Sequence, residues 1–339
     1  MRTTASEDDT ERVRESKIQM RKFNLKGTVV ERMKGIAREE KKPAEIPSTA
    51  EPSAPDMNPG FSDTQGRFIC AWRTDVGRLR KNNQDAVILG CGLAGVADGM
   101  GGHKGGEIAS AGLRDGLLRE IIDQSPDMDT LREAVSVVNR ELWEKQEADL
   151  SLSGMGTTLT VLWPAGNNMI VGQVGDSRAY LLRDGELRQV TEDHSMVADM
   201  VRKGVLTEEQ AACHPMRNYI TRAVGTEEEV EIDLSLHDRR KGDRWLICSD
   251  GLYGMIPKSD LMSLLSLPDP EDAAEKLLCA ALEGGGKDNI SLVILQDETC
   301  FSPDTPVSPD ETPGLAPNVP AASDTPDTPA SLDQEVNDP

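Results

Sequence analysis

The amino-acid sequence predicts an α+β fold, an antiparallel sheet core with helices packed outside it. Three observations carry the prediction. Short β-rich apolar runs dominate the middle of the chain. The clearest connection between two of them is a hairpin, Asp184-Gly185 set between Ala179–Leu182 and Glu186–Val190. The amphipathic helical patterns come in blocks of their own, which disfavours a doubly wound parallel sheet.

In chain order, residues to about Lys42 mix both signs of charge with spaced apolar positions (Val13, Ile18, Phe23, Val29, Val30, Met33, Ile36), a pattern that fits an amphipathic helix. Residues 43–60 collect Pro, Ser, Ala and Glu with almost nothing to bury and read as a linker. The extension therefore occupies 1–65 and the folded domain 66–298. Strands are predicted at 68–72, 86–89, 93–97, 158–163, 170–174, 178–182, 230–236, 245–248 and 290–295. Helices are predicted at 107–122, over Leu131, Val135, Val138 and Leu142 behind the cap Asp129, and over Ala274, Leu277, Leu278, Ala281 and Leu282 ahead of Gly284-Gly285-Gly286. Residues 299–339 are rich in Pro, Thr and Asp, no Lys or Arg follows Lys287, and a disordered acidic tail is expected.

The 339 residues carry 59 acidic and 37 basic side chains, a formal net charge of −22. A surface of that sign is a poor partner for nucleic acid. No apolar stretch has the length of a signal peptide core or a membrane helix, so no membrane span is expected and a cytoplasmic location is the default. Cys70, Cys91, Cys213, Cys248, Cys279 and Cys300 contain no Cys-x-x-Cys pair and are expected to be reduced core thiols.

Four acidic clusters stand where strands end or begin, each beside a small residue. They are Asp98-Gly99-Met100-Gly101-Gly102-His103, Gly175-Asp176-Ser177-Arg178, Ser249-Asp250-Gly251 and Lys287-Asp288-Asn289. Aspartates at strand ends project from rigid scaffolds into a shared mouth, as oxygen-ligand sites for Mg²⁺ or Mn²⁺ require. One Asp-Gly after a strand is usually a plain turn; the recurrence is what points to a site. Together with Arg80-Lys81-Asn82-Asn83-Gln84-Asp85, Met155-Gly156-Thr157-Thr158, Asp193-His194-Ser195 and Thr221-Arg222-Ala223-Val224-Gly225, the order resembles the metal-dependent protein phosphatases, the type 2C serine/threonine phosphatases, in their bacterial form.

The resemblance covers about residues 66 to 298 and implies two central antiparallel β-sheets sandwiched between layers of helices, with two Mn²⁺ or Mg²⁺ ions at one end. It implies that Asp98 bridges the ions, that the Gly99 carbonyl serves one and that Asp250 and Asp288 serve the other. Arg80 would grip the substrate phosphate, Asp85 would hold water on the metal, and Asp176 matches the support of a weaker third ion. The segment from Ser195 to about Arg217 corresponds to a variable flap beside the cleft. Phosphorylated proteins and a cognate serine/threonine kinase are the implied partners. Two cations ~3.5–4 Å apart can neutralise a phosphomonoester and lower the pKa of a bridging water, so no covalent phosphoenzyme is required.

His103 is a candidate general acid for the leaving oxygen, set against a role in ordering its Gly-rich loop. Gln84 stands where the family often has glutamate, which predicts weaker metal binding. Ser177 lacks an evident base and reads as a turn residue, and Trp72, Trp143, Trp163 and Trp245 read as core. The alternative function is a non-catalytic phosphoprotein-binding regulator with a phosphatase fold, against which retention of Asp98, Asp250, Asp288 and Arg80 argues.

Overall fold

Strands open the described part of the chain. The computed structural model describes residues 62–63, 66–101 and 105–299, so the expected amino-terminal helix, the linker, His103 and the tail from residue 300 lie outside the described residues. The first elements are β1 (Ser62–Asp63), β2 (Gly66–Asp75), β3 (Asp85–Gly90), β4 (Leu93–Met100), α1 (Gly105–Glu120) and α2 (Met128–Ala148). They are followed by β5 (Gly156–Thr157), β6 (Leu159–Ala165), β7 (Asn168–Val174), β8 (Arg178–Arg183), β9 (Glu186–Gln189) and two short helices, α3 (Met196–Arg202) and α4 (Glu208–Ala212). The last are β10 (Asp233–Asp238), β11 (Arg244–Cys248), α5 (Asp250–Tyr253), α6 (Lys258–Leu265), α7 (Pro270–Glu283) and β12 (Ile290–Asp297).

Two sheets result, ordered β1-β2-β12-β11-β8-β9 and β10-β7-β6-β4-β3, with β5 beside β4. Every ladder among the described residues is antiparallel. The alternation of side chains along each strand sorts the core into three slabs. Trp245, Ile247, Val293 and Leu295 face Val96, Leu162 and Val171 of the other sheet. Their neighbours Leu246, Cys248, Leu292 and Ile294 point the opposite way, onto Leu261, Leu265, Ala274, Leu277 and Ala281 of α6 and α7. Ile88, Val161, Trp163 and Ile170 meet Leu113, Leu117, Leu131, Val135 and Val138 of α1 and α2. Strands buried on both faces need the near-continuous apolar runs seen in the sequence, and each fully buried aliphatic side chain stabilises the fold by about 1.5–3 kcal/mol.

The hairpin is a two-residue turn with positive φ at both Asp184 (53°) and Gly185 (80°), the geometry that matches strand twist. Four expectations change. The cap of α2 is Asp127, whose carboxylate accepts from the amides of Asp129 and Thr130. β10 starts at Asp233 rather than at residue 230, because its partner β7 ends at Val174 and Gly175 (φ 98°) leaves the sheet. Of the cysteines, Cys248 is buried, but Cys91, Cys213 and Cys279 are exposed; all five described thiols are free. Trp163 and Trp245 are fully buried, while Trp72 and Trp143 are half-buried. No helix among the described residues is long and apolar enough to cross a membrane.

A fully buried ion pair lies among the described residues of this framework. Arg239 Nε donates to Asp297 Oδ2 at 2.8 Å, and both side chains are fully buried. The guanidinium also lies over the Phe68 ring and donates to the Gly166 carbonyl. Removing one partner leaves a buried charge uncompensated, so Asp297→Ala is expected to destabilise the domain by about 3–5 kcal/mol. The check is a lower urea midpoint at an unchanged denaturant slope.

Candidate active site

The two sheets bring their strand ends together at one end of the sandwich, and the aspartates sit there. Asp85 opens β3 and pairs directly across the ladder with Asp98, near the end of β4, so their side chains share one face. The backbone of Asp98 is pinned by the Thr157-Thr158 pair. Its amide donates to Thr158 Oγ1 (2.9 Å), and its carbonyl accepts from the Thr158 amide (2.9 Å) and Thr157 hydroxyl (3.0 Å). Asp250 starts α5 immediately after β11. The preceding Ser249 donates its hydroxyl to Asp85 Oδ2 at 2.8 Å and accepts from the Ser291 amide, tying the two sheets at the site.

Asp288 and Arg80 come from loops that Asn289 fastens to each other. Asn289 Nδ2 donates to the carbonyls of Val76 and Asn82, and its Oδ1 accepts from the Gln84 amide. Across this junction Arg80 reaches Asp288 Oδ2 at 2.6 Å, its guanidinium half-exposed at the mouth. Gly251 packs so tightly here that a Cβ would lie 2.0 Å from the Asn289 carbonyl. Gly99 is equally confined: a Cβ there would lie 2.1 Å from the Gly106 carbonyl and 2.5 Å from that of Gln84. The Gln84 side-chain amide lies against Gly106 in the first turn of α1.

Asp176 follows β7 and is buried. Its carbonyl accepts from the Tyr253 hydroxyl (3.0 Å), and Arg178 lies over the Tyr253 ring while holding Asp193 through both carboxylate oxygens. The Ser177 hydroxyl is paired with Thr158 Oγ1 at 2.8 Å, a turn contact with no base beside it.

The electrostatics of the cluster are unusual. Asp85, Asp98, Asp250 and Asp288 show an edge to the cleft, yet burial dominates the protonation of the first three. It raises Asp85 to about 7, helped by Asp250 and Asp288. Asp98 goes well above the ordinary carboxylate range, by burial and then by Asp85 and Asp250. Burial and Asp250 raise Asp176 to about 7. Burial and Asp288 raise Asp250 to about 6, opposed by Arg80, Arg178 and Arg217. Asp85 Oδ1 and Asp250 Oδ1 are buried with no hydrogen-bond partner. Among the described residues, no three carboxylate, imidazole or thiol groups converge closely enough to enclose an ion by themselves.

All the sequence-predicted aspartates and Arg80 thus fall at one end of the sandwich, while His103 lies outside the described residues. Arg217 was not singled out by the sequence. It lies where the flap returns, and its charge reaches Asp250. Its position in Cys213-His214-Pro215-Met216-Arg217, within the flap segment, was the available signal.

The pattern of the protein phosphatase 2C family matches residues 79–282. The chain is 43% identical over 227 residues to the serine/threonine protein phosphatase PstP of Mycobacterium tuberculosis, covering 66% of this chain and 44% of that protein. It is 36% identical over 244 residues to the serine/threonine phosphatase stp of Listeria monocytogenes, covering 66% of this chain and 94% of stp. The crystal structure of the catalytic domain of PstP in complex with two manganese ions superimposes with a TM-score of 0.63 at 39% identity, covering 68% of this chain and 98% of that one. The chain thus spans less than half the length of the mycobacterial protein but nearly all of its catalytic domain. The architecture, the order of the motifs and the match over 79–282 agree, and the chain belongs to the protein phosphatase 2C family.

Proposed function

We propose that this chain is a metal-dependent serine/threonine protein phosphatase that hydrolyses phosphoserine and phosphothreonine by attack of water at phosphorus. The observation that carries it is the set of desolvated carboxylates, Asp85, Asp98, Asp176 and Asp250, whose ionisation burial and mutual repulsion oppose. Two of them have a buried oxygen with no partner. Such a group is relieved by hard divalent cations, and an all-oxygen donor set suits Mg²⁺ or Mn²⁺. The two manganese ions of the PstP catalytic domain support the same choice.

Asp98, the Gly99 carbonyl, Asp250 and Asp288 would hold the two ions, with Asp176 beside a weaker third and Asp85 holding water. When bound, such cations would neutralise the phosphate dianion and make a water more acidic. The rest is supplied by this chain's own side chains. Arg80 engages Asp288 through one nitrogen and offers its remaining donors at the mouth, where a guanidinium fork can orient two phosphate oxygens. Arg217 adds positive charge from the flap side. Ser249 and the Thr157-Thr158 pair fix the carboxylates on strand ends, so the site changes shape little as charge develops.

The substrates are phosphorylated proteins, and the reaction opposes a serine/threonine kinase. A cytoplasmic setting fits the free thiols of the described cysteines. The phosphatase domain is assigned to 66–298, between the extension and the acidic tail. The test is the purified full chain with Mn²⁺ against a phosphothreonine peptide, an aryl phosphate and a bis-aryl phosphodiester. Turnover of the monoesters and not the diester, lost on chelation, is expected. Binding of the phosphopeptide without turnover would establish the non-catalytic alternative.

Gln84 bears on metal preference. Glutamine keeps the length of glutamate but not its charge, and here its amide lies over the start of α1. Gln84→Glu is expected to lower the Mg²⁺ concentration for half-maximal activity several-fold without changing saturated turnover, because it adds a negative charge in the segment that carries Asp85 and leaves Arg80 untouched. Coincident Mg²⁺ titrations would remove Gln84 from the metal account.

A further inference from the structure

We propose that His194 is a positioning residue of the phosphatase centre, clamping the Gly175-Asp176 turn through a tautomer that Asp233 fixes; this rests on the phosphatase function proposed above. His194 is buried, 4% exposed, and none of the roles assigned so far uses it. Its ring nitrogens have different duties. Nδ1 accepts from the Gly175 amide at 3.0 Å, so it carries no proton. In the neutral ring Nε2 then bears the hydrogen and donates to Asp233 Oδ2 at 3.1 Å. Arg222 Nη1, also 3.1 Å from Nε2, directs its protons to Asp233 Oδ1 at 2.5 Å and the Glu231 carbonyl at 3.3 Å.

The clamp is double. The His194 amide donates to the Gly175 carbonyl at 2.9 Å, so one residue holds both polar groups of Gly175. The turn admits only glycine at 175, since its φ is 98° and a Cβ would lie 2.6 Å from Thr158 Cγ2. The next residue is Asp176, whose carbonyl is held from the other side by Tyr253, on the helix that Asp250 begins. His194 also stands where the flap leaves and returns. Its carbonyl accepts from the Thr221 amide, Ser195 bridges Ile220, and the Ser195 hydroxyl caps α3. The Asp176 carboxylate is therefore aimed by an imidazole anchored at the flap base.

Two substitutions separate the duties. In His194→Asn the side-chain oxygen replaces Nδ1 as the acceptor for Gly175, whereas His194→Gln keeps a donor near Asp233 and loses that acceptor. The full chain is titrated with Mn²⁺ by calorimetry and, separately, by turnover. H194Q is expected to weaken the weakest Mn²⁺ site about tenfold with saturated turnover within about twofold of wild type, and H194N to stay within about threefold in affinity, as for partners that orient a metal ligand. Equal shifts in both variants, or none in either, overturn the proposal. If H194Q does not fold, Asp233→Ala makes the test at a half-exposed position. Loss of the acceptor frees the Nδ1–H tautomer, so Mn²⁺ binding weakens, and the effect disappears when Asn occupies 194. Persistence of the Asp233→Ala effect in the H194N background contradicts the tautomer argument. A wild-type chain that binds no Mn²⁺ overturns the phosphatase function and this proposal together, whereas wild-type binding with unaffected variants overturns this proposal alone.

Discussion

Replacing Asp98 by Asn is expected to reduce Mn²⁺-dependent turnover at least about a thousandfold and, in the metal-free protein, to raise thermal stability at neutral pH. Both effects have one cause. Asp98 is desolvated and faces Asp85, Asp250, Asp176 and Asp288, so without cations its charge opposes folding. The sign follows from linkage. A carboxylate raised in the folded state keeps protons that the unfolded chain has released, so stability is highest below the unfolded value near ~4 and falls as pH rises toward the folded value. For Asp85 and Asp176 that window ends at about 7, and for Asp250 at about 6. The chelated wild type should lose melting temperature across that window, and the Asp98→Asn variant should lose less. Turnover retained by the purified variant would contradict the assignment of Asp98, and a pH-independent melting temperature would contradict the charge argument.

Gly99→Ala tests space where Asp98→Asn tests charge. The added methyl group would meet the Gly106 carbonyl at 2.1 Å and the Gln84 carbonyl at 2.5 Å, so backbone must move at the first turn of α1 and at the loop carrying Arg80. The Gly99 amide also donates to that Gln84 carbonyl, which accepts from Ser110 as well. Overpacking against two backbone segments is expected to cost about 3 kcal/mol or more and to displace the Gly99 carbonyl. Urea denaturation would register the first and turnover at saturating Mn²⁺ the second. A variant with wild-type stability would mean that the Gly99–Gly106 approach is looser than the geometry requires.

The strands were legible because β-rich runs bounded by turn residues need no tertiary information, and Asp184-Gly185 announced its hairpin by residue type alone. The division into two sheets was not legible from patterning. Leu246 and Ile247, adjacent and both apolar, serve different slabs, and only packing reveals which. The family resemblance supplied that architecture. Asp127 and Asp129 are equally good caps by residue type, and cap geometry alone separates them. Among the site residues, the aspartates stood out because each ends or begins an apolar run beside a small residue. His194 and Asn289 stand inside the sequence motifs, but what they hold was not legible, as Asn289 joins Val76, Asn82 and Gln84, while Tyr253 and Arg217 act on the site from outside the motifs. Such joins have no periodic signature.

The central claim is that the buried carboxylates of this cluster form a cation site. A calorimetric Mn²⁺ titration of the full chain at neutral pH, repeated in buffers of different ionisation enthalpy, tests it most directly. Asp85 and Asp176 sit near 7 and Asp98 higher, and binding must strip their protons. The account predicts at least two ions bound per chain with net proton release that diminishes in Asp98→Asn. Binding of fewer than two ions, or binding without proton release, would contradict it.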